Sequence, residues 1–169
     1  VTVQWVCDSV QAASSQKHLS HGFSLPTKKV HLSSKFFEWA HFEYEEDGKF
    51  DYDKISKQAE EFKPKLIMVG YSSYPRHFDY GKLREIADKV NAILVADIAH
   101  ICGLVATGNA PNCFNHCHVV TTTTHKTLRG PRGAIVWALQ NHNGASLIQA
   151  VNESTFPGFQ GGPHNHTIG

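Results

Sequence analysis

Four short, unbroken apolar runs constrain the fold of this chain more than any other feature. They are Leu66-Ile-Met-Val69, Ile93-Leu-Val-Ala96, Val119-Val120 leading into four threonines, and Ala134-Ile-Val-Trp137. A run without polar alternation is the pattern of a strand covered on both faces. Two stretches between the runs carry helical spacing. Over 51–62, Ile55, Ala59 and Phe62 share one face, Asp51 or Asp53 can cap the start, and Pro64 ends the helix. Asp79 caps a second helix, in which Leu83, Ile86, Ala87 and Val90 follow the i, i+3, i+4, i+7 rule. Apolar strands alternating with helices predict an α/β domain with a largely parallel sheet. The first thirty residues are polar and poorly periodic. The aromatic-rich stretch 30–44 predicts one or two short strands, and Glu45-Glu-Asp-Gly48 a turn. With no repeat or internal boundary, 1–169 reads as one domain.

Composition narrows the function. At 41% hydrophobic and 18% charged, the 169 residues can bury a core without disulfide staples. Lys plus Arg is 16 and Asp plus Glu is 15, for a formal net charge of +1. Binders of nucleic acid or acidic membrane carry a basic excess, so neither partner is expected. No apolar stretch is long enough to span a bilayer, and no secretory signal opens the chain. The start at Val1 rather than Met predicts a processed chain, a trimmed one or a fragment. Of the four cysteines (Cys7, Cys102, Cys113, Cys117), Cys113 and Cys117 stand beside His116 and His118. That spacing makes a poor zinc framework, because no second ligand pair follows it; reduced thiols in a loop running into a strand are expected instead. The triplets Asn152-Glu-Ser154 and Asn165-His-Thr167 match a glycosylation pattern that matters only in a secreted protein.

In open α/β sheets, ligands bind beyond the carboxyl ends of the strands. The polar residues there are Ser72 and Ser73, then Asp97 and His100, then the threonines at 121–124 with His125 and Lys126. Lys126 stands among His125, Arg129 and Arg132, and neighbouring positive charge favours a neutral, nucleophilic amine. Such a lysine can form an imine with a carbonyl or with pyridoxal phosphate. Asp97 on a neighbouring strand end could keep that cofactor's ring nitrogen protonated. Each residue also has a plainer reading: Lys126 as a solvated loop lysine, Asp97 as a helix cap, the threonines as a strand edge, His18 and His21 as surface histidines. The Gly-rich stretch 156–163 can offer backbone N–H groups to a phosphate or form ordinary turns, and it fits neither common nucleotide-binding loop.

The segment Val119-Val-Thr-Thr-Thr-Thr-His-Lys-Thr-Leu-Arg-Gly-Pro-Arg-Gly133 resembles the cofactor-lysine signature of the serine hydroxymethyltransferase family. So do Asp97-Ile-Ala-His-Ile-Cys-Gly-Leu-Val-Ala106, His18-Leu-Ser-His-Gly22, Lys63-Pro-Lys-Leu-Ile67 and Phe156-Pro-Gly-Phe-Gln-Gly-Gly-Pro-His-Asn-His166. Their order and spacing follow the family from about Gln16 onward.

The resemblance implies part of the large domain of a fold type I, aspartate-aminotransferase-like enzyme that depends on pyridoxal 5'-phosphate. It implies interconversion of serine and glycine, with a one-carbon unit passed to tetrahydrofolate. Lys126 becomes the lysine that bonds the cofactor, and Asp97 the partner of the pyridine nitrogen. His18 stacks on the ring, His100 and Ser72 lie near its hydroxyl, and Ala99 packs beneath it. Thr123 and His125 belong to the lysine's strand end. Gly161 and Gly162 match the pair that reaches the phosphate of a neighbouring subunit's cofactor, which implies a homodimer or homotetramer. Family members occupy cytosol, mitochondria and plastids; a cytoplasmic chain is expected, and a mitochondrial one would carry its targeting segment before Val1. The chain departs from the family at Gln16-Lys17, where two glycines are usual, and at Pro75, where serine is usual. It is also considerably shorter. Those departures frame the alternative of a catalytically inactive truncated homologue that acts by associating with a full-length chain or another partner.

Overall fold

A computed structural model describes residues 9–12, 24–25, 28–29, 37 and 39–168. The strands in chain order are β1 Ser9–Ala12, β2 Ser24–Leu25, β3 Lys28–Lys29, β4 Trp39–Phe42, β5 Leu66–Val69, β6 Ile93–Asp97, β7 Val119–Thr123, β8 Ala134–Ala138, β9 Asn141–His142 and β10 Ala145–Ser146. The helices are α1 Tyr52–Phe62, α2 Tyr80–Lys89, α3 Cys102–Ala106, α4 Leu147–Glu153 and α5 Asn165–Ile168.

Local chemistry explains the helix ends. Asp51 Oδ1 accepts the backbone N–H groups of Asp53 and Lys54, both at 3.0 Å, and so starts α1. The helix stops at Lys63, which turns left-handed at φ 51° just before Pro64. Asp79 does the same for α2 by accepting from Lys82 N–H at 3.0 Å. Between Phe42 and α1 the chain reverses at 45–48, where Gly48 N–H donates to the Glu45 carbonyl at 2.8 Å.

The main sheet has the order β4-β1-β5-β6-β7-β8. Its first five strands are parallel and β8 runs antiparallel to β7. Two small antiparallel ladders, β2–β3 and β9–β10, stand apart from it. Alternate residues of the central strands serve two clusters. Ile67, Val69, Leu94, Ala96 and Val120 join Ile55 and Ala59 of α1 and Leu83, Ile86 and Ala87 of α2. Leu66, Val95 and Val119 face the other way, with Leu147 of α4. Both faces of β5, β6 and β7 are therefore covered, as their unbroken apolar runs require. Each fully buried aliphatic side chain contributes about 1.5–3 kcal/mol before entropy is counted.

The fourth apolar run departs from expectation. It does form a strand, β8, but Ile135, Val136 and Trp137 are 38%, 39% and 36% exposed. Among the described residues β8 is an edge strand paired only with β7, and what packs on it, Phe114 edge-on against Trp137 at 5.2 Å, covers these side chains only in part. Several elements escape sequence reading altogether: β1, the β2–β3 ladder, α3, the β9–β10 hairpin, α4 and α5. The hairpin turns through Asn143 and Gly144, both at positive φ (50° and 79°), which is the two-residue turn that an Asn-Gly pair favours.

Candidate active site

Parallel pairing brings the carboxyl ends of β5, β6 and β7 to one edge of the sheet. The register sets Val69 beside Ala96 and Asp97 beside Thr121, so the loops that follow emerge side by side. Ser72, Asp97, Ala99, His100, Thr123, His125 and Lys126 all sit at this edge or in those loops. His18 lies outside the described residues.

Asp97 ends β6. Its Oδ1 accepts the N–H of Ala99 at 2.9 Å, and the next residue's N–H, from Ile98, donates to the Thr121 carbonyl at 2.9 Å. The half-buried carboxylate is thus fixed by its own loop and by β7. It does not cap the helix that follows, because α3 begins at Cys102 behind Ile101 and carries no side-chain cap. Ala99 is 5% exposed, which leaves a small methyl rather than a bulky group beside the carboxylate.

Gly70, immediately after β5, explains how Asp97 can lie so close to the neighbouring strand. An added Cβ at Gly70 would stand 2.3 Å from the Asp97 carbonyl oxygen and 3.0 Å from its Cβ. Only glycine permits this approach. Gly70 is absent from the residues that the sequence singles out, although a glycine closing an apolar strand run is the available signal.

Lys126 follows β7 in a loop clasped by Thr124. Thr124 N–H donates to the Gly133 carbonyl at 3.0 Å, Gly130 N–H donates back to the Thr124 carbonyl at 2.8 Å, and the Thr124 hydroxyl donates to the Pro131 carbonyl. Within this ring the Lys126 carbonyl accepts from Arg129 N–H at 2.9 Å, and Arg129 turns left-handed at φ 56°. The loop also docks on α3. Gly103 N–H donates to the Thr127 hydroxyl at 3.0 Å, and an added Cβ at Gly103 would meet the Thr127 carbonyl oxygen at 2.8 Å. The segment behind Asp97 and His100 is thereby pressed against the loop that carries Lys126. Gly103 and Thr127 are two further residues that the sequence does not single out.

His100 reports the electrostatics. Burial holds its imidazole below the ordinary value of 6.5, the Lys126 charge pushes it the same way, and Asp97 opposes both. One imidazole therefore senses both the amine and the carboxylate. Two polar atoms beside Lys126, Thr123 Oγ1 and His125 Nδ1, are buried without a hydrogen-bond partner. The other ring nitrogen of His125, Nε2, lies 3.4 Å from Arg132 Nη1. Orphaned buried groups are uncommon and ask for a partner.

Ser72 stands half-buried two residues past Gly70. Gly161 and Gly162 are elsewhere: both are exposed, and an added Cβ at either meets nothing within 4 Å. The structure does not bring them to the Lys126 loop. Among the described residues no group of three or more His, Cys, Asp or Glu is placed to hold a metal ion, and no helix is long and apolar enough to cross a membrane. Cys102, Cys113 and Cys117 are free and buried.

A mostly parallel sheet, a lysine and an aspartate on adjacent strand ends, and orphaned polar atoms beside the lysine fit pyridoxal phosphate, and define the chain as a fold type I transferase domain. The family model for serine hydroxymethyltransferase matches residues 11–169, and the chain belongs to that family. It is 51% identical over 154 residues to serine hydroxymethyltransferase 3, chloroplastic, of Arabidopsis thaliana, a match covering 90% of this chain and 29% of that protein. It is 50% identical over 161 residues to a putative mitochondrial serine hydroxymethyltransferase of Neurospora crassa, covering 89% of this chain and 30% of the relative. With the cytosolic serine hydroxymethyltransferase of Oryctolagus cuniculus it shares 47% identity over 162 residues, 89% of this chain and 34% of the relative. The chain thus spans about a third of the length of the relatives it matches.

Proposed function

We propose that this chain is the cofactor-lysine part of the large domain of a glycine hydroxymethyltransferase, which interconverts serine and glycine and passes a one-carbon unit to tetrahydrofolate. The observation that carries the reading is the convergence of Lys126 and Asp97 on one imidazole, His100, beside two orphaned polar atoms. Pyridoxal phosphate, when bound, supplies an electron sink that weakens the bonds at an amino acid's Cα.

Lys126 would hold it through Nζ, and Asp97 through its carboxylate. The negative charge of Asp97 stabilises a proton on the pyridine nitrogen, and its loop contacts with Ala99 and Thr121 keep the carboxylate aimed. His100, held toward its neutral form, offers a hydrogen bond without adding a second positive charge beside Lys126. Thr123 Oγ1 and His125 Nδ1 gain partners once a ligand fills the strand ends. Ala99, small and buried, would leave room for the ring, with Ser72 near its hydroxyl; the family resemblance assigns stacking on the ring to His18. Gly161 and Gly162, exposed in this chain, serve the phosphate of a neighbouring subunit in a homodimer or homotetramer.

Pyridoxal phosphate added to the full-length chain should produce a violet-region absorbance band. Lys126→Ala should abolish the band and lower serine-to-glycine turnover on the order of 10⁴-fold. A band that survives the substitution overturns the assignment of the lysine, and no band in folded protein overturns the cofactor.

A further inference from the structure

Outside the Lys126 edge, one cluster of nucleophilic side chains stands out. Cys113 and Cys117 flank the turn that leads into β7, and both are buried, at 0% and 3% exposure. His116 N–H and Cys117 N–H both donate to the Cys113 carbonyl, at 3.0 and 2.9 Å, so the two cysteines span a single tight turn. A turn of this i→i+4 kind sets Cα atoms about 6 Å apart, inside the range a disulfide needs. The two thiols influence each other: Cys117 holds the Cys113 thiol below its ordinary range, and Cys113 together with burial holds the Cys117 thiol above it. Among the described residues the pair belongs to no group of three or more metal-binding side chains.

Burial protects both sulfurs, but the residues between them are at the surface. Phe114 is exposed, as is Asn115. Few bonds hold the turn: the two amides on Cys113 O, Arg84 Nη1 donating to the His116 carbonyl at 2.9 Å, and Phe114 N–H donating to Asn112 Oδ1 at 2.9 Å. Opening these bonds, together with the edge-on contact of Phe114 with Trp137 at 5.2 Å, uncovers Cys113.

We propose that Cys113 and Cys117 are a reversible dithiol–disulfide pair that staples the turn feeding β7, oxidised by a small-molecule disulfide. Cys113 thiolate attacks one sulfur of glutathione disulfide, forming a mixed disulfide and expelling one glutathione thiolate. Cys117, giving up its proton, then attacks the Cys113 sulfur and expels the second glutathione. The chain loses two protons and two electrons, and the glutathione disulfide takes up both electrons. The closed pair then fixes the start of the strand that ends at the Lys126 loop.

The test equilibrates the full-length chain in glutathione buffers, approached from the oxidised and the reduced side until both give the same result. Free thiols are then alkylated, and the chain is cut with chymotrypsin. Cleavage after Phe114 separates the two cysteines, so the link appears as two peptides joined through Cys113 and Cys117. The expected oxidised form carries that pair and no glutathione, and amide exchange at His116 and Cys117 slows roughly tenfold. Cys117→Ser should halt at glutathione bound to Cys113. Stable glutathione on Cys113 in the unsubstituted chain, a link through Cys7 or Cys102, or two alkylated thiols at the oxidised end point would each overturn the proposal.

Discussion

β6 and β8 look alike as sequence and differ as structure. Both are five residues long and mostly apolar. In β6, Leu94 and Ala96 are fully buried, Val95 nearly so, and Asp97 emerges at the active edge. In β8 the large apolar residues are more than a third exposed, and Phe156 and Phe159 beyond them are exposed further, at 61% and 84%. β6 has a parallel partner on each side, whereas among the described residues β8 has β7 alone. An apolar run therefore states that a surface asks for cover; whether the chain in hand supplies that cover depends on how many neighbours the topology grants the strand. The chemistry-bearing side chains collect where cover is complete, since a carboxylate is aimed only by groups that cannot move away from it.

The sharpest way to break this comparison is to empty one strand of each kind. Leu94→Ala should cost about 2–5 kcal/mol in urea unfolding, as for other fully enclosed leucines. A loss below about 1 kcal/mol would show that β6 is not held as described.

The second test concerns acid. His118, at the mouth of β7, is 1% exposed; its Nδ1 accepts the Leu94 N–H at 2.9 Å, and its ring meets His142 edge-on at 4.2 Å. Burial, Arg84 and His142 push its imidazole down to about 4, against a weaker pull from Asp88. The folded state resists the proton more than the unfolded chain does. Stability is therefore intact above the unfolded value of 6.5 and falls as pH drops from there through about 4, by up to about 3 kcal/mol. His118→Gln should flatten this slope in denaturation series from pH 7 to pH 4. An unchanged slope would assign the acid sensitivity to other groups.

Gly70→Ala probes how the covered region aims Asp97. The new methyl must displace the Asp97 carbonyl, at a cost of about 1–3 kcal/mol. Uptake of pyridoxal phosphate should weaken with it, which a titration by absorbance measures. Normal uptake together with lowered stability would separate the strand contact from the aim of the carboxylate. The smallest effect is expected on the other strand: Ile135→Thr should cost this chain less than about 1 kcal/mol, because the side chain is 38% exposed and its β-branched replacement suits a strand.

Much of the fold and site is legible in the sequence, for reasons that can be named. Asp51 and Asp79 sit where a short acceptor satisfies orphan helix amides, and the structure uses both. Leu66–Val69 and Ile93–Asp97 are short apolar runs, and the structure makes both of them interior strands. Lys126, Asp97, His100 and Ser72 can be picked out because parallel strands send their carboxyl ends to one side. What stays hidden depends on neighbours distant in sequence. β1 is Ser-Val-Gln-Ala, half polar, and is a strand because β4 and β5 flank it. α3 contains Gly103, a poor helix former kept where the Thr127 carbonyl leaves no room for a Cβ. The orphaned Thr123 Oγ1 and His125 Nδ1 are invisible in a row of hydroxyls until burial is known.

The Thr124 clasp bears on how sequences of this kind can drift. Three hydrogen bonds from one residue close a ring through Gly130, Pro131 and Gly133, with Lys126 inside it. Exposed Arg132 can change identity without opening the ring, whereas Arg129, left-handed at φ 56°, is restricted, and one residue added or removed would unseat every bond at once. Length variation among descendants should therefore be barred from 124–133. It should gather instead at the hairpin tip around Gly144, where nothing stands within 4 Å of an added side chain.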